Sequence, residues 1–354
     1  MSATDSISPS ISALEDLHSV EQLESWLSPA TSELVAAMGR LKGDLLVLGV
    51  GGKMGPTLAL MAKRASEEAG VPRRILGAAR FSEPGLEERL QSYGIETLRC
   101  DLLDHDPLDA LPDAPNIVYM AGMKFGSTGN EALTWAMNCY LPGRVCERFP
   151  GSRIAAFSTG NIYGLSPATA GGSVETDVPD PVGDYAMSCL GRERIFQHFS
   201  NVNGTPTVLI RLNYAIEPRY GVLVDIARKV WSKEPVDLAM GYFNCIWQPS
   251  ANALILRALE LAASPAEILN VVGPETLRVR DVAEAFGRHM ERKVEFSGEE
   301  APSALLSHGG KMFESLGKPE VGVDSMIECI AAWVMKNGLS LNKPTHFESR
   351  DGSF

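Results

Sequence analysis

The feature that most constrains this chain is a short apolar run that breaks up into glycines: Asp44-Leu-Leu-Val-Leu-Gly-Val-Gly-Gly-Lys-Met-Gly55. Consecutive apolar residues leave no polar face, so the run predicts a strand buried on both sides, as in a parallel sheet covered by helices. A helix is predicted over 57–69, closed by Gly70. Between strand and helix, Gly49, Gly52 and Gly55 form a GxxGxxG spacing. Glycine permits the tight turn and lets a bound group approach the backbone, while the helix start offers unpaired N–H groups and a positive dipole end. Together these make a site for a dinucleotide's pyrophosphate, with Gly49, Gly52, Lys53, Met54 and Gly55 as its residues. No Lys-Ser/Thr follows at the spacing a P-loop needs.

The alternation continues. Strands are predicted over 75–79, 97–100, 117–121, 154–158 and 207–212, with helices over 85–93, 131–149 and 185–200 between them. Repeated βα units imply a Rossmann-type, doubly wound parallel sheet. Its nucleotide-binding domain is expected over 44–212. Residues 1–43 read as an N-terminal extension, loose over 1–12 and helical over 20–27 and 29–41. Residues 213–354 read as a smaller, mixed α/β substrate segment, with helices over 222–232, 252–263, 280–290 and 323–336 and a short strand over 269–272.

The end of the second strand bears on the cofactor. Binders of NAD usually place a carboxylate there, on the ribose 2′-hydroxyl. This chain has Gly77-Ala78-Ala79-Arg80-Phe81, and a guanidinium pairs with a 2′-phosphate. NADP is therefore expected ahead of NAD. After the third strand, Asp101 and Leu102 fall where the adenine would lie. Asp104, Asp106, Asp109 and Asp113 follow, with Pro107 and Pro112 among them. This run reads as a solvated loop, and no metal site is expected.

Composition narrows the partners. The 354 residues carry 32 Lys and Arg against 44 Asp and Glu, a net charge of −12. That argues against nucleic acid and against an anionic membrane surface. The six cysteines lack disulfide-framework or zinc spacing, and the start lacks the basic and apolar regions of a signal peptide. A cytoplasmic protein with reduced thiols and a small-molecule substrate is expected.

Three further segments carry a resemblance: Tyr119-Met-Ala-Gly-Met-Lys124-Phe-Gly126, Phe157-Ser-Thr159-Gly-Asn-Ile-Tyr-Gly164 and Asp184-Tyr185-Ala-Met-Ser-Cys189. With the glycine loop they resemble the extended short-chain dehydrogenase/reductase family, also called the NAD-dependent epimerase/dehydratase family, over roughly residues 44–340. The resemblance implies Tyr185 as acid/base, Thr159 as the orienting hydroxyl, and Ala121, Gly122, Lys124 and Asn138 as cofactor contacts. It also implies an oxidoreductase or epimerase acting at a hydroxyl or carbonyl carbon of a sugar-like or nucleotide-sugar molecule, and a homodimer. One departure is chemical: Cys189 stands where YxxxK has lysine. A thiol supplies no positive charge to lower a phenol whose ordinary pKa is about 10. A base from elsewhere, Lys124 or Arg192, takes the lysine's place; or Tyr185 works as a neutral acid; or the protein binds dinucleotide without turnover, as a sensor or scaffold. Arg192 also reads as one half of a surface salt bridge, and Cys189 as a packed thiol. Asn161, Asn213, Tyr214 and Arg219, at or beyond strand ends, are the expected substrate contacts. The polar tail from Lys343 to Gly352 either folds back over the site or hangs loose.

Overall fold

The computed structural model describes residue 14 and residues 16–124 and 126–352. The reading of residues 1–12 as loose lies outside them. Seven parallel strands form the central sheet: β1 (Leu45–Leu48), β2 (Ile75–Ala79), β3 (Glu96–Arg99), β4 (Asn116–Tyr119), β5 (Arg153–Thr159), β6 (Thr207–Leu212) and β7 (Glu267–Val271). Their order is β7-β6-β5-β4-β1-β2-β3. The chain starts in the middle and winds out both ways, so this is the expected doubly wound Rossmann-type sheet. The strand order reverses between β1 and β4, which opens a crevice beyond their carboxyl ends.

Alternate side chains of one strand feed opposite faces. Leu45 and Val47 of β1 enter one hydrophobic cluster, Leu46 and Leu48 the other. The first cluster includes α1 (Val20–Trp26), α2 (Ser32–Arg40) and α3 (Gly55–Glu68). It runs on into residues beyond 213 without a break. Buried Thr57 ties these parts together: its Oγ1 accepts from Gln248 Nε2 (3.1 Å) and Asn252 Nδ2 (3.0 Å), and its carbonyl accepts from Ser28 Oγ (3.0 Å). The N-terminal helices are thus built into the core, and Arg64 clasps Ser25 and Ser28 from α3.

The helix expected over 131–149 is interrupted. It is α-helical over Glu131–Trp135, opens into a π-turn at Ala136–Tyr140, and resumes over Leu141–Arg148. Pro142 has no N–H to close on the Asn138 carbonyl, and the wider turn absorbs that loss. The acidic run also holds a short helix, His105–Asp109, with Pro107 in its first turn, where the missing N–H would have had no helical partner. Gly310–Leu316 is a helix the periodicity did not indicate.

The long helix Gly183–Asn203 carries Tyr185, Cys189 and Arg192, and a buried ion pair sets its place. Glu193 accepts from Arg211 of β6 at Nη2 (2.8 Å) and Nε (3.0 Å) and from Ser158 Oγ of β5 (2.6 Å). Arg211 Nη1 reaches the Tyr163 hydroxyl (2.6 Å), which donates to Asn270 of β7 (2.8 Å). Removing one partner of a buried pair strands the other charge. Arg211→Ala should therefore cost about 3–5 kcal/mol, read as a fall in the chemical denaturation midpoint. An unchanged midpoint would show that Glu193 does not need its partner.

Candidate functional site

The glycine loop splits into two kinds of glycine. Gly49 has φ +87°, and a Cβ there would lie 2.7 Å from the Ala121 nitrogen; one at Gly55 would lie 2.1 Å from the Val50 carbonyl oxygen. These two let the loop close on itself and on the end of β4. A Cβ at Gly52 would meet nothing nearer than 3.5 Å, the carbonyl oxygen of Gly49. Gly52 faces open space instead and lines two adjoining cavities, which also share Met120 and Gly122.

The first cavity, about 720 Å³, lies at the β2 and β3 ends. It is lined by Gly49, Gly51, Arg80, Glu83, Asp101, Leu102, Ala121 and others. The Arg80 guanidinium is mostly exposed and stands 3.9 Å from Asp101 Oδ2. The second, about 1000 Å³, lies at the β4, β5 and β6 ends and gathers Lys53, Met54, Lys124, Thr159, Asn161, Tyr185, Arg192 and Tyr214. A trench over the sheet's switch point, floored by glycine backbone and opening on an α-helix start, fits an extended dinucleotide.

In the second cavity Thr159 Oγ1 donates to Asn161 Oδ1 (2.9 Å) and accepts from the Asn161 N–H (3.2 Å). It also bonds the Tyr185 side chain. Burial drives the Tyr185 phenol well above its ordinary value. The Cys189 thiol adds to this, while Arg192 and the Thr159 bond oppose it. Tyr185 therefore rests as a neutral phenol. Cys189 is fully buried beside Ile162 and Tyr163, off the cavity wall, and burial raises its thiol pKa. Lys124 Nζ stands 5.6 Å from the Tyr185 ring centroid, and burial lowers its pKa to about 8.

Arg192 is not the surface ion pair that its spacing suggested. It is 6 % exposed, and no carboxylate lies within salt-bridge reach among the described residues. Nη1 donates to the Phe157 carbonyl (2.9 Å), Nη2 to Asn138 Oδ1, and Nε has no partner. A Cβ at Gly122 would lie 2.3 Å from Nη2, so glycine there makes room for the guanidinium. Asn138 lies behind the wall. Its amide exchanges bonds with the Met123 backbone (2.9 and 3.0 Å) and takes Ser188 as a further partner (2.9 Å). It holds the loop that carries Gly122 and Lys124, and the π-turn presents it there.

Two expected substrate contacts point elsewhere. Arg219 gives its N–H and Nε to Glu217 (2.9 and 2.8 Å), with Glu24 3.8 Å away, because a buried guanidinium needs counter-charge. Asn213 Nδ2 donates to Asn244 Oδ1 (2.6 Å) and is buried in that polar network. Tyr220, the neighbour of Arg219 in the sequence, does line the cavity, as do Thr345 and Leu212, of which only Leu212 carried no signal. Thr345 belongs to the tail, which folds back. Its N–H and hydroxyl donate to Asp225 (2.8 and 2.6 Å), Phe347 is buried against Phe243, and Arg350 donates to the Ser303 carbonyl (2.7 Å). Gly352 packs so closely on Val182 that a Cβ would lie 2.2 Å from its carbonyl oxygen.

No protein-family model matches the sequence, and no curated protein matches it. The fold does have solved relatives. A UDP-glucuronic acid 4-epimerase from Bacillus cereus, in complex with NAD, superposes with a TM-score of 0.69 at 16% identity, over 83% of this chain and 99% of that one. A UDP-glucose 4-epimerase from Thermotoga maritima, with UDP-glucose, gives the same score, identity and coverage. A UDP-galactose 4-epimerase gives 0.66 at 18% identity, again over 83% and 99%. What these likenesses show is a shared fold. Among the described residues, no helix is long and apolar enough to cross a membrane.

Proposed function

We propose that this chain is a nicotinamide-dinucleotide-dependent oxidoreductase or epimerase acting at a hydroxyl or carbonyl carbon of a sugar-like substrate, free or nucleotide-linked. The observation that carries the reading is Tyr185 and Thr159 sharing one cavity with the glycine loop, over the sheet's switch point. The three neighbours are named as epimerases, one of them solved with NAD, which supports the same class.

The backbone at Gly49, Gly52 and Gly55 and the start of α3 would hold the pyrophosphate. Asp101, Leu102 and Ala121 would border the adenosine half, and Gly122 and Lys124 the nicotinamide side. When bound, the dinucleotide supplies a hydride acceptor or donor. Thr159 fixes the substrate oxygen by hydrogen bonding. Tyr185, resting as a phenol, donates its proton to a carbonyl oxygen as hydride reaches the carbon; in the reverse direction the phenolate takes the hydroxyl proton. A phenolate in so buried a place needs a cation. Cys189 supplies none, whereas the guanidinium of Arg192 is permanently charged, lacks a carboxylate, and lies near enough to oppose the rise in the Tyr185 pKa. Arg192, helped by Lys124, therefore takes the role left open at Cys189. At the far end Arg80 favours NADP, since no carboxylate closes β2 itself.

A second reading, dinucleotide binding without turnover, draws on Cys189. The experiment that separates them identifies any dinucleotide released from denatured protein. It then screens hydroxy and keto sugars at the reduced-cofactor absorbance. Wild type should turn over at least one of them, and Tyr185→Phe should lose about 10²-fold or more in kcat while still binding dinucleotide. Equal rates in the two proteins would remove Tyr185 as acid/base, and inert wild type that retains dinucleotide would favour the second reading. Arg80→Ala should weaken NADP about tenfold or more and leave NAD nearly unchanged. Equal losses for both would end that assignment.

A further inference from the structure

The second cavity holds one cation more than the chemistry at Tyr185 uses. Its lining includes Lys53, Lys124 and Arg192 and no aspartate or glutamate among the described residues, in a chain whose net charge is −12. Arg192 is committed to Phe157 and Asn138. Lys53 is different. It springs from the glycine loop, yet it lines the cavity of Tyr185 and not the cavity of Arg80 and Asp101. Its Nζ sits 3.1 Å from the centroid of the Tyr220 ring. No carboxylate oxygen lies within 4 Å of it among the described residues. The acids that face it from neighbouring elements are already engaged, Glu217 by Arg219 and Asp225 by Thr345. Lys124 and Lys343 face it as well and, after burial itself, push its proton affinity down.

A lysine held on an aromatic face among other cations, with nearby acids occupied and its proton affinity lowered, gains its proton and a partner together when an anion binds. We propose that the substrate carries a carboxylate and that Lys53 binds it, so that a hydroxy acid or sugar acid lies with its charged end at Lys53 and its reacting oxygen at Tyr185 and Thr159. This rests on the reading of the cavity as the substrate site of a dinucleotide-dependent enzyme. The other anion that can reach Lys53 is the dinucleotide's own pyrophosphate.

The test is calorimetric titration of the full chain, with and without saturating NADP. The probes are D-glucuronate and D-glucuronamide, which share a shape and differ in charge. Wild type should bind the acid about tenfold or more tightly than the amide. Lys53→Met should bind the two alike, with and without NADP. Equal binding of acid and amide by wild type, binding of neither, or a preference that survives in Lys53→Met overturns the proposal. A preference that survives while NADP affinity collapses in the variant assigns Lys53 to the pyrophosphate. Because the preference is also read without dinucleotide, a chain that bound no NADP would fail the oxidoreductase reading separately.

Discussion

The candidate site depends on one buried ion pair. Glu193 stands two turns below Tyr185 on the same helix, and its carboxylate is shared between Arg211 of β6 and Ser158 of β5. Ser158 precedes Thr159, so the same carboxylate that seats the helix also seats the strand that delivers the Thr159 hydroxyl to the cavity. Arg211 carries the fix on through Tyr163 to Asn270 of β7. A buried pair is poor evidence for extra stability, but its directional bonds admit one register between helix and strands. That register is what brings Tyr185 and Thr159 within bonding reach of each other.

Much of this was legible in the sequence, for physical reasons. Buried parallel strands are continuous apolar runs, so β2 and β6 fall where expected, at Ile75–Ala79 and Thr207–Leu212. The glycine loop announces itself because only glycine tolerates φ +87° at Gly49 or the backbone contact at Gly55. The π-turn was not legible. Proline at 142 signals a break, but the choice between a kink and a wider turn is made by tertiary bonds to Asn138. Arg192 was misread because an arginine on a helix is ordinarily solvated, and its burial depends on the small residue at Gly122, seventy positions away. The tail has no periodicity at all. Its path follows from single anchors, Thr345 on Asp225 and Phe347 on Phe243, which local pattern does not encode.

The site thus combines a familiar frame with an altered charge plan. Position 189 holds a buried thiol, and the cations come from elsewhere: Lys53 from the glycine loop, Lys124 from the loop after β4, and Arg192 from one turn farther along the same helix. An arginine held by a backbone carbonyl and an amide, rather than by a carboxylate, keeps its charge available to neighbours. The tail closes the same cavity from the far side through Thr345. Residues at opposite ends of the chain therefore share one small volume.

The central claim is that Arg192 supplies the charge missing at Cys189, and one titration tests it without a known substrate. A fluorinated tyrosine at position 185, intrinsically more acidic than tyrosine, can be followed by fluorine NMR across pH in the dinucleotide-loaded protein. Replacing Arg192 by methionine should move its midpoint up by about one pH unit or more, with Arg192→Lys lying between. A midpoint that does not move when the guanidinium is removed would contradict the claim.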